Sequence, residues 1–92
     1  MNTYQLFMGR DIPSGGYVTD DDFNKFLHIV DTIVDGYTVQ DVQGVWLGEH
    51  EDTKLMTVFA DEDKVYEIAR TYKTAFNQQA VAVQCLPAME FV

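Results

Sequence analysis

Two stretches of the chain repeat apolar residues at offsets of three and four, and each is bracketed by β-branched runs; nothing else constrains the fold as strongly. In the first, Phe23, Phe26, Leu27, Val30, Ile33 and Val34 form one helical stripe. In the second, Val65, Ile68, Ala69, Tyr72 and Phe76 do the same. Thr19 ahead of Asp20, Asp21 and Asp22 is a helix start, since a hydroxyl caps the first free amides and the carboxylates oppose the positive end of the dipole. Asp35 and Gly36 should close that helix, with Gly36 as a left-handed cap. Asp61 should cap the second.

Around these helices the sequence predicts four strands. TYQLFMG (Thr3 to Gly9) is the first, and RDIPSGGY after it is a loop because of its proline and paired glycines. YTVQDVQGVW (Tyr37 to Trp46) is the second, with Gly44 a candidate bulge, and LGEHED is the turn that follows. KLMTVFA (Lys54 to Ala60) is apolar on both faces and should be central. AVAVQCL (Ala80 to Leu86) is the fourth, and MEFV is expected to add a short edge strand.

The order is β-α-β-β-α-β. Right-handed crossovers then favour one ferredoxin-like domain over residues 1–92, an antiparallel sheet with both helices on one face. Successive residues of a strand point to opposite faces, so Ala80 to Val83 cannot all reach the helices. The second face is therefore expected to bury against further copies of the chain, as a trimer in preference to a dimer, with a ligand site at the seam.

Fifteen acids against six bases give a net charge of -9, which repels phosphate backbones and argues against nucleic acid as a partner. Cationic ligands are favoured, although acidity also serves plain solubility. No apolar run nears the roughly 18 residues of a membrane span and no basic leader opens the chain, so a cytoplasmic protein without a membrane partner is expected. Cys85, the one cysteine, sits in an apolar strand and reads as a buried structural thiol. His28 and His50 belong to no metal-ligand spacing, RDIPSGG lacks the lysine of a P-loop, and Ser14 is in no nucleophile elbow.

The stretch GVWLGEHEDTK (Gly44 to Lys54) stands out, because it sets the one tryptophan beside Glu49, His50, Glu51 and Asp52. It reads either as a solvated hairpin or as a cleft wall in which Trp46 offers an aromatic face and the carboxylates receive a cationic or heteroaromatic ligand. Gln43 and Gln78 would add amide contacts if they converge on it.

From LFMGRDIPSGGYVTDDDFNKFL through DGYTVQDVQGVW to YKTAFNQQAVAV, the chain resembles a family of small bacterial and phage proteins of unassigned function. Its second half is also similar to the S-adenosylmethionine-cleaving enzymes of bacteriophages. Those carry paired acids before the third strand, an Ala-Arg in the second helix, and an aromatic residue followed by Gln and Val. The matching positions are Glu51 and Asp52, Ala69 and Arg70, then Phe76, Gln78 and Val81. The resemblance implies a lyase, in which the substrate's own carboxylate expels methylthioadenosine and leaves homoserine lactone, with no cofactor beyond S-adenosylmethionine as substrate. It implies Glu51 as the key acid, Glu49 or Asp52 as substitutes, Trp46 where those enzymes carry a tyrosine, and Gln43 and Gln78 as polar contacts. A phage-encoded protein of this kind would act in the host cytoplasm. Two other classes fit the same chain: a non-catalytic oligomer that binds nucleotides as PII-type signalling proteins do, and an acidic interaction protein or DNA mimic.

Overall fold

In Asn2–Gly9 (β1) the residues Tyr4, Leu6 and Met8 are buried while Gln5 and Phe7 are not, the period of a strand with one face on a core. The computed structural model describes the backbone of residues 1–92 and every side chain but that of Trp46. The further elements are Asp20–Val30 (α1), Tyr37–Trp46 (β2), Glu49–Ala60 (β3), Glu62–Ala75 (α2) and Ala82–Leu86 (β4). They form a four-stranded sheet of order β2-β3-β1-β4, antiparallel at every pairing. This is the expected ferredoxin-like α+β architecture, with β1 and β3 in the centre. Phe23, Phe26 and Val30 of α1, and Val65, Ile68 and Tyr72 of α2, join Tyr4, Leu6, Met8, Met56 and Val58 in one core, so both helices lie on the same sheet face.

Thr19 caps α1 as its position suggests, its hydroxyl accepting from the Asp22 amide at 3.1 Å. The helix stops at Val30 with Asp31 as its C-cap, however, and Gly36 has no left-handed backbone. The apolar stripe persists past the end because Val34 is buried without being helical. Asp61 stands at the N-cap of α2, yet its side chain makes no capping bond.

The hairpin departs most from expectation. Its turn is only Leu47 and Gly48, both with positive φ (49° and 78°), the signature of a type I′ connection whose twist matches that of the strands. Glu49 to Asp52 therefore belong to β3. Pairing runs unbroken from Tyr37 opposite Val58 to Trp46 opposite Glu49, with Gly44 opposite Glu51, so there is no bulge at Gly44.

Cys85 is exposed, against the expectation of a buried thiol. β4 is a short edge strand: on its helix side Val83, opposite Leu6, packs against the core, while Cys85 two residues on does not. The C-terminal MEFV adds no strand; Phe91 meets Phe59 edge to face at 5.6 Å over the face that carries no helices.

Candidate functional site

Because Glu49 to Asp52 are strand residues, alternation divides them. Glu49, Glu51, Thr53 and Leu55 take the open face, while His50, Asp52, Lys54 and Met56 take the face that carries the helices, where Met56 is in the core. On the open face a cavity of about 910 Å³ lies between the β1, β2 and β3 ends and the loops after β1 and α2. Its floor is apolar, with Phe7, Leu55, Val42 and Ala82, and its rim is polar, with Glu51, Asp11, Gln78 and Gln79.

The rim is tied together through residues 9 to 11. The Asp11 amide donates to Glu51 Oε2 at 3.1 Å, and Gln78 Nε2 donates to the Asp11 carbonyl at 2.9 Å. Asn77 Nδ2 donates to Ser14 Oγ at 3.2 Å, which joins the loop after α2 to the loop after β1. From the core side the Tyr72 hydroxyl donates to the Gly9 carbonyl at 2.7 Å. Burial pushes the Tyr72 phenol well above its ordinary pKa, so it remains a donor at neutral pH.

Across the sheet, the same end of the chain is held by ions. The Arg10 side chain is only 11% exposed, and its Nε donates to the Val18 carbonyl at 2.9 Å. Its guanidinium pairs with Asp20 at 2.9 Å and stacks 4.6 Å from the Tyr17 ring centroid. Lys54 is equally buried and pairs with Asp41 and Asp20. A hydrogen bond from Lys54, then the charges of Lys54 and Arg10, hold the Asp20 carboxyl below the usual range. The Tyr17 hydroxyl donates to Asp52 Oδ2 at 3.0 Å, and desolvation, then this bond, raises its pKa.

Glu51 and Gln78 thus meet at one cavity. Glu49 is exposed on the same face but nearer the turn, outside the cavity lining. Asp52 is on the other side of the sheet, and Gln43, its partner in the register, shares that side, where both line a smaller cleft of about 390 Å³ with Arg10 and Asp41. Gln43 also borders the larger cavity from its strand edge. The Trp46 side chain lies outside the described residues. Phe7, Gly9 and Asp11 were not singled out from the sequence; for Phe7 the available signal was its alternation with the buried Leu6 and Met8. Among the described residues no three His, Cys, Asp or Glu side chains gather as a metal site, and no helix is long and apolar enough to cross a membrane.

The chain belongs to the family described as "Protein of unknown function (DUF3574)", whose model matches residues 3–90. Among solved structures it is similar to a phage SAM lyase in its apo state, with a TM-score of 0.69 and 17% identity over 98% of this chain and 91% of that one. At that identity the likeness establishes the fold. No curated protein sequence matches the chain.

Proposed function

We propose that the protein is an S-adenosylmethionine lyase whose substrate occupies the cavity between Glu51 and Gln78. The observation that carries this reading is the convergence of those two residues, distant in sequence, on a cavity with an apolar floor, in a fold shared with a phage SAM lyase. In the proposed reaction a carboxylate oxygen of the substrate attacks its own γ-carbon. The carbon–sulfur bond breaks with its electron pair passing to sulfur, so a carboxylate and a sulfonium disappear together as a lactone and a neutral thioether form. No proton, water or protein nucleophile enters the balance.

The protein's part is to fold the substrate into the attacking conformation and keep solvent away, which is worth several kcal/mol in favourable cases. Glu51 serves this best by holding a group whose charge or polarity does not change, the substrate ammonium or ribose hydroxyls. A carboxylate against the sulfonium would instead stabilise the ground state that the reaction must leave. Gln78 contributes an amide at the rim and Phe7 a stacking surface on the floor. Glu49 and Trp46 are assigned secondary substrate contacts and Gln43 one from the strand edge, whereas Asp52 faces the other side of the sheet and is assigned none at this cavity. The assembly is proposed to be a trimer, with its seam on the open face and no added cofactor, in the host cytoplasm.

Incubation of the purified protein with S-adenosylmethionine, followed by chromatography, should yield methylthioadenosine and homoserine lactone. Glu51→Gln, nearly isosteric, removes a charge-assisted contact worth roughly 1.5 to 3 kcal/mol and should lower kcat/KM by about one to two decades, mainly through KM. Recovery of intact S-adenosylmethionine bound to the protein would favour a PII-like binding module. No binding and no cleavage would remove the ligand class altogether.

A further inference from the structure

We infer that Gly9 is a positioning residue, a glycine because the Glu51 carboxylate rests on it. Gly9 is ordinary strand, without the positive φ that favours glycine at Gly15, Gly16 or Gly48. What its missing side chain supplies is room. A Cβ at position 9 would stand 2.6 Å from Glu51 Oε2 and 2.7 Å from both Cδ and Oε1, closer than non-bonded atoms approach. The whole carboxylate therefore lies flat against the Gly9 α-carbon.

The carboxylate is held there from one side only. Oε2 accepts from the Asp11 amide, whereas among the described residues no donor meets Oε1, and Glu51 lines the cavity. The seat itself is rigid. Its carbonyl at Gly9 is bonded by Tyr72, its carbonyl at Asp11 by Gln78, and Arg10 between them gives its amide to the Asp52 carbonyl at 3.0 Å. A methyl group at position 9 meets backbone that cannot move and a side-chain end that can, so Glu51 yields. Gly9→Ala is then a variant that keeps the fold and misplaces the Glu51 carboxylate at the cavity. This function of the seat rests on the lyase reading for its effect on turnover, but the seat itself does not.

The test uses two readouts. Without any ligand, the Asp11 backbone amide is followed by ¹⁵N–¹H correlation in the native protein, Gly9→Ala, Glu51→Ala and the double variant. Gly9→Ala should retain the dispersed spectrum of the fold and move the Asp11 peak to its Glu51→Ala position, and adding Gly9→Ala to Glu51→Ala should move it no further. An unmoved Asp11 peak in Gly9→Ala, a shift of the same size in the Glu51→Ala background, or loss of the folded spectrum would each overturn the proposal, the last because the backbone would have yielded instead. With S-adenosylmethionine, Gly9→Ala should lower kcat/KM by about ten- to a hundredfold, as displacement of a positioned group by an ångström does. Should the native protein cleave nothing while the Asp11 peaks behave as stated, the lyase reading falls and the seat stands; native cleavage that Gly9→Ala leaves undiminished refutes the seat's role.

Discussion

Tyr72→Phe isolates the contact on which the site depends. The ring is fully buried, with Phe76 at 4.9 Å, Phe26 at 5.1 Å and Phe23 at 6.2 Å between centroids, and phenylalanine preserves all of that packing. Only the hydroxyl is lost, and with it the 2.7 Å bond to the Gly9 carbonyl. Removing one partner of a buried hydrogen bond costs about 1 to 3 kcal/mol. Gly9 is half-buried, so water can partly replace the donor, and about 1 to 2 kcal/mol is expected here. Truncating the ring, as in Tyr72→Ala, should cost about 3 to 5 kcal/mol because a cavity opens as well. Urea denaturation resolves the two: the midpoint should fall with an unchanged slope, by far less for Tyr72→Phe than for Tyr72→Ala. The same variant should loosen Gly9 beneath Glu51 and weaken the response to S-adenosylmethionine. A Tyr72→Phe protein as stable as the native one, or as unstable as Tyr72→Ala, would refute the assignment of that bond.

The Asp20 carboxyl is held low by Lys54 and Arg10, so its contribution is present above its unfolded pKa of 3.8 and is lost as pH falls through the lower folded value; Asp20→Asn should flatten the loss of denaturation midpoint below pH 3.8. Leu47 is 87% exposed with a φ of 49°, so Leu47→Asn sacrifices no burial and should stabilise the hairpin by about 1 kcal/mol, measured by the same midpoints. With Phe7 and Phe91 both exposed on the open face, a light-scattering mass above that of the 10.5 kDa chain is expected at micromolar concentration, and a monomer would contradict the seam proposed there.

The element order was legible because both helices carry unbroken 3.6-residue stripes and the strands between them are apolar. Centrality of β3 was legible for the same reason. The hairpin was not, since Glu49 to Asp52 have the low strand propensity of a turn and take strand geometry only because Leu47 and Gly48 fix the register for all of them. The exposure of Cys85 was hidden because an apolar run announces a strand without saying how much of it the core will cover. At the site, Glu51 was reached through family resemblance and Gln78 through its side-chain chemistry. Gly9 carried no signal, because its meeting with Glu51 is a cross-strand event: Gly9 pairs with Thr53, two residues from Glu51, and only the register brings them together.

Three consecutive residues join the two faces of the sheet. Arg10 points into the helix side, where it and Lys54, two of the six bases, are spent on Asp20 and Asp41. Gly9 and Asp11 border the opposite side, where the cavity lining holds Asp11 and Glu51 and, among the described residues, no lysine or arginine. The chain thus neutralises acids where it needs a rigid anchor and leaves them uncompensated where a ligand would enter. A low-dielectric wall of Phe7, Leu55 and Val42 beneath those carboxylates strengthens their field. Such a cavity discriminates by sign before it discriminates by shape: S-adenosylmethionine, with a sulfonium and an ammonium against one carboxylate, should raise the melting temperature more than ATP, whose phosphates meet like charge. Equal stabilisation by ATP would mean that the two acids do not govern entry, and the separation of charge across the sheet would then serve the fold alone.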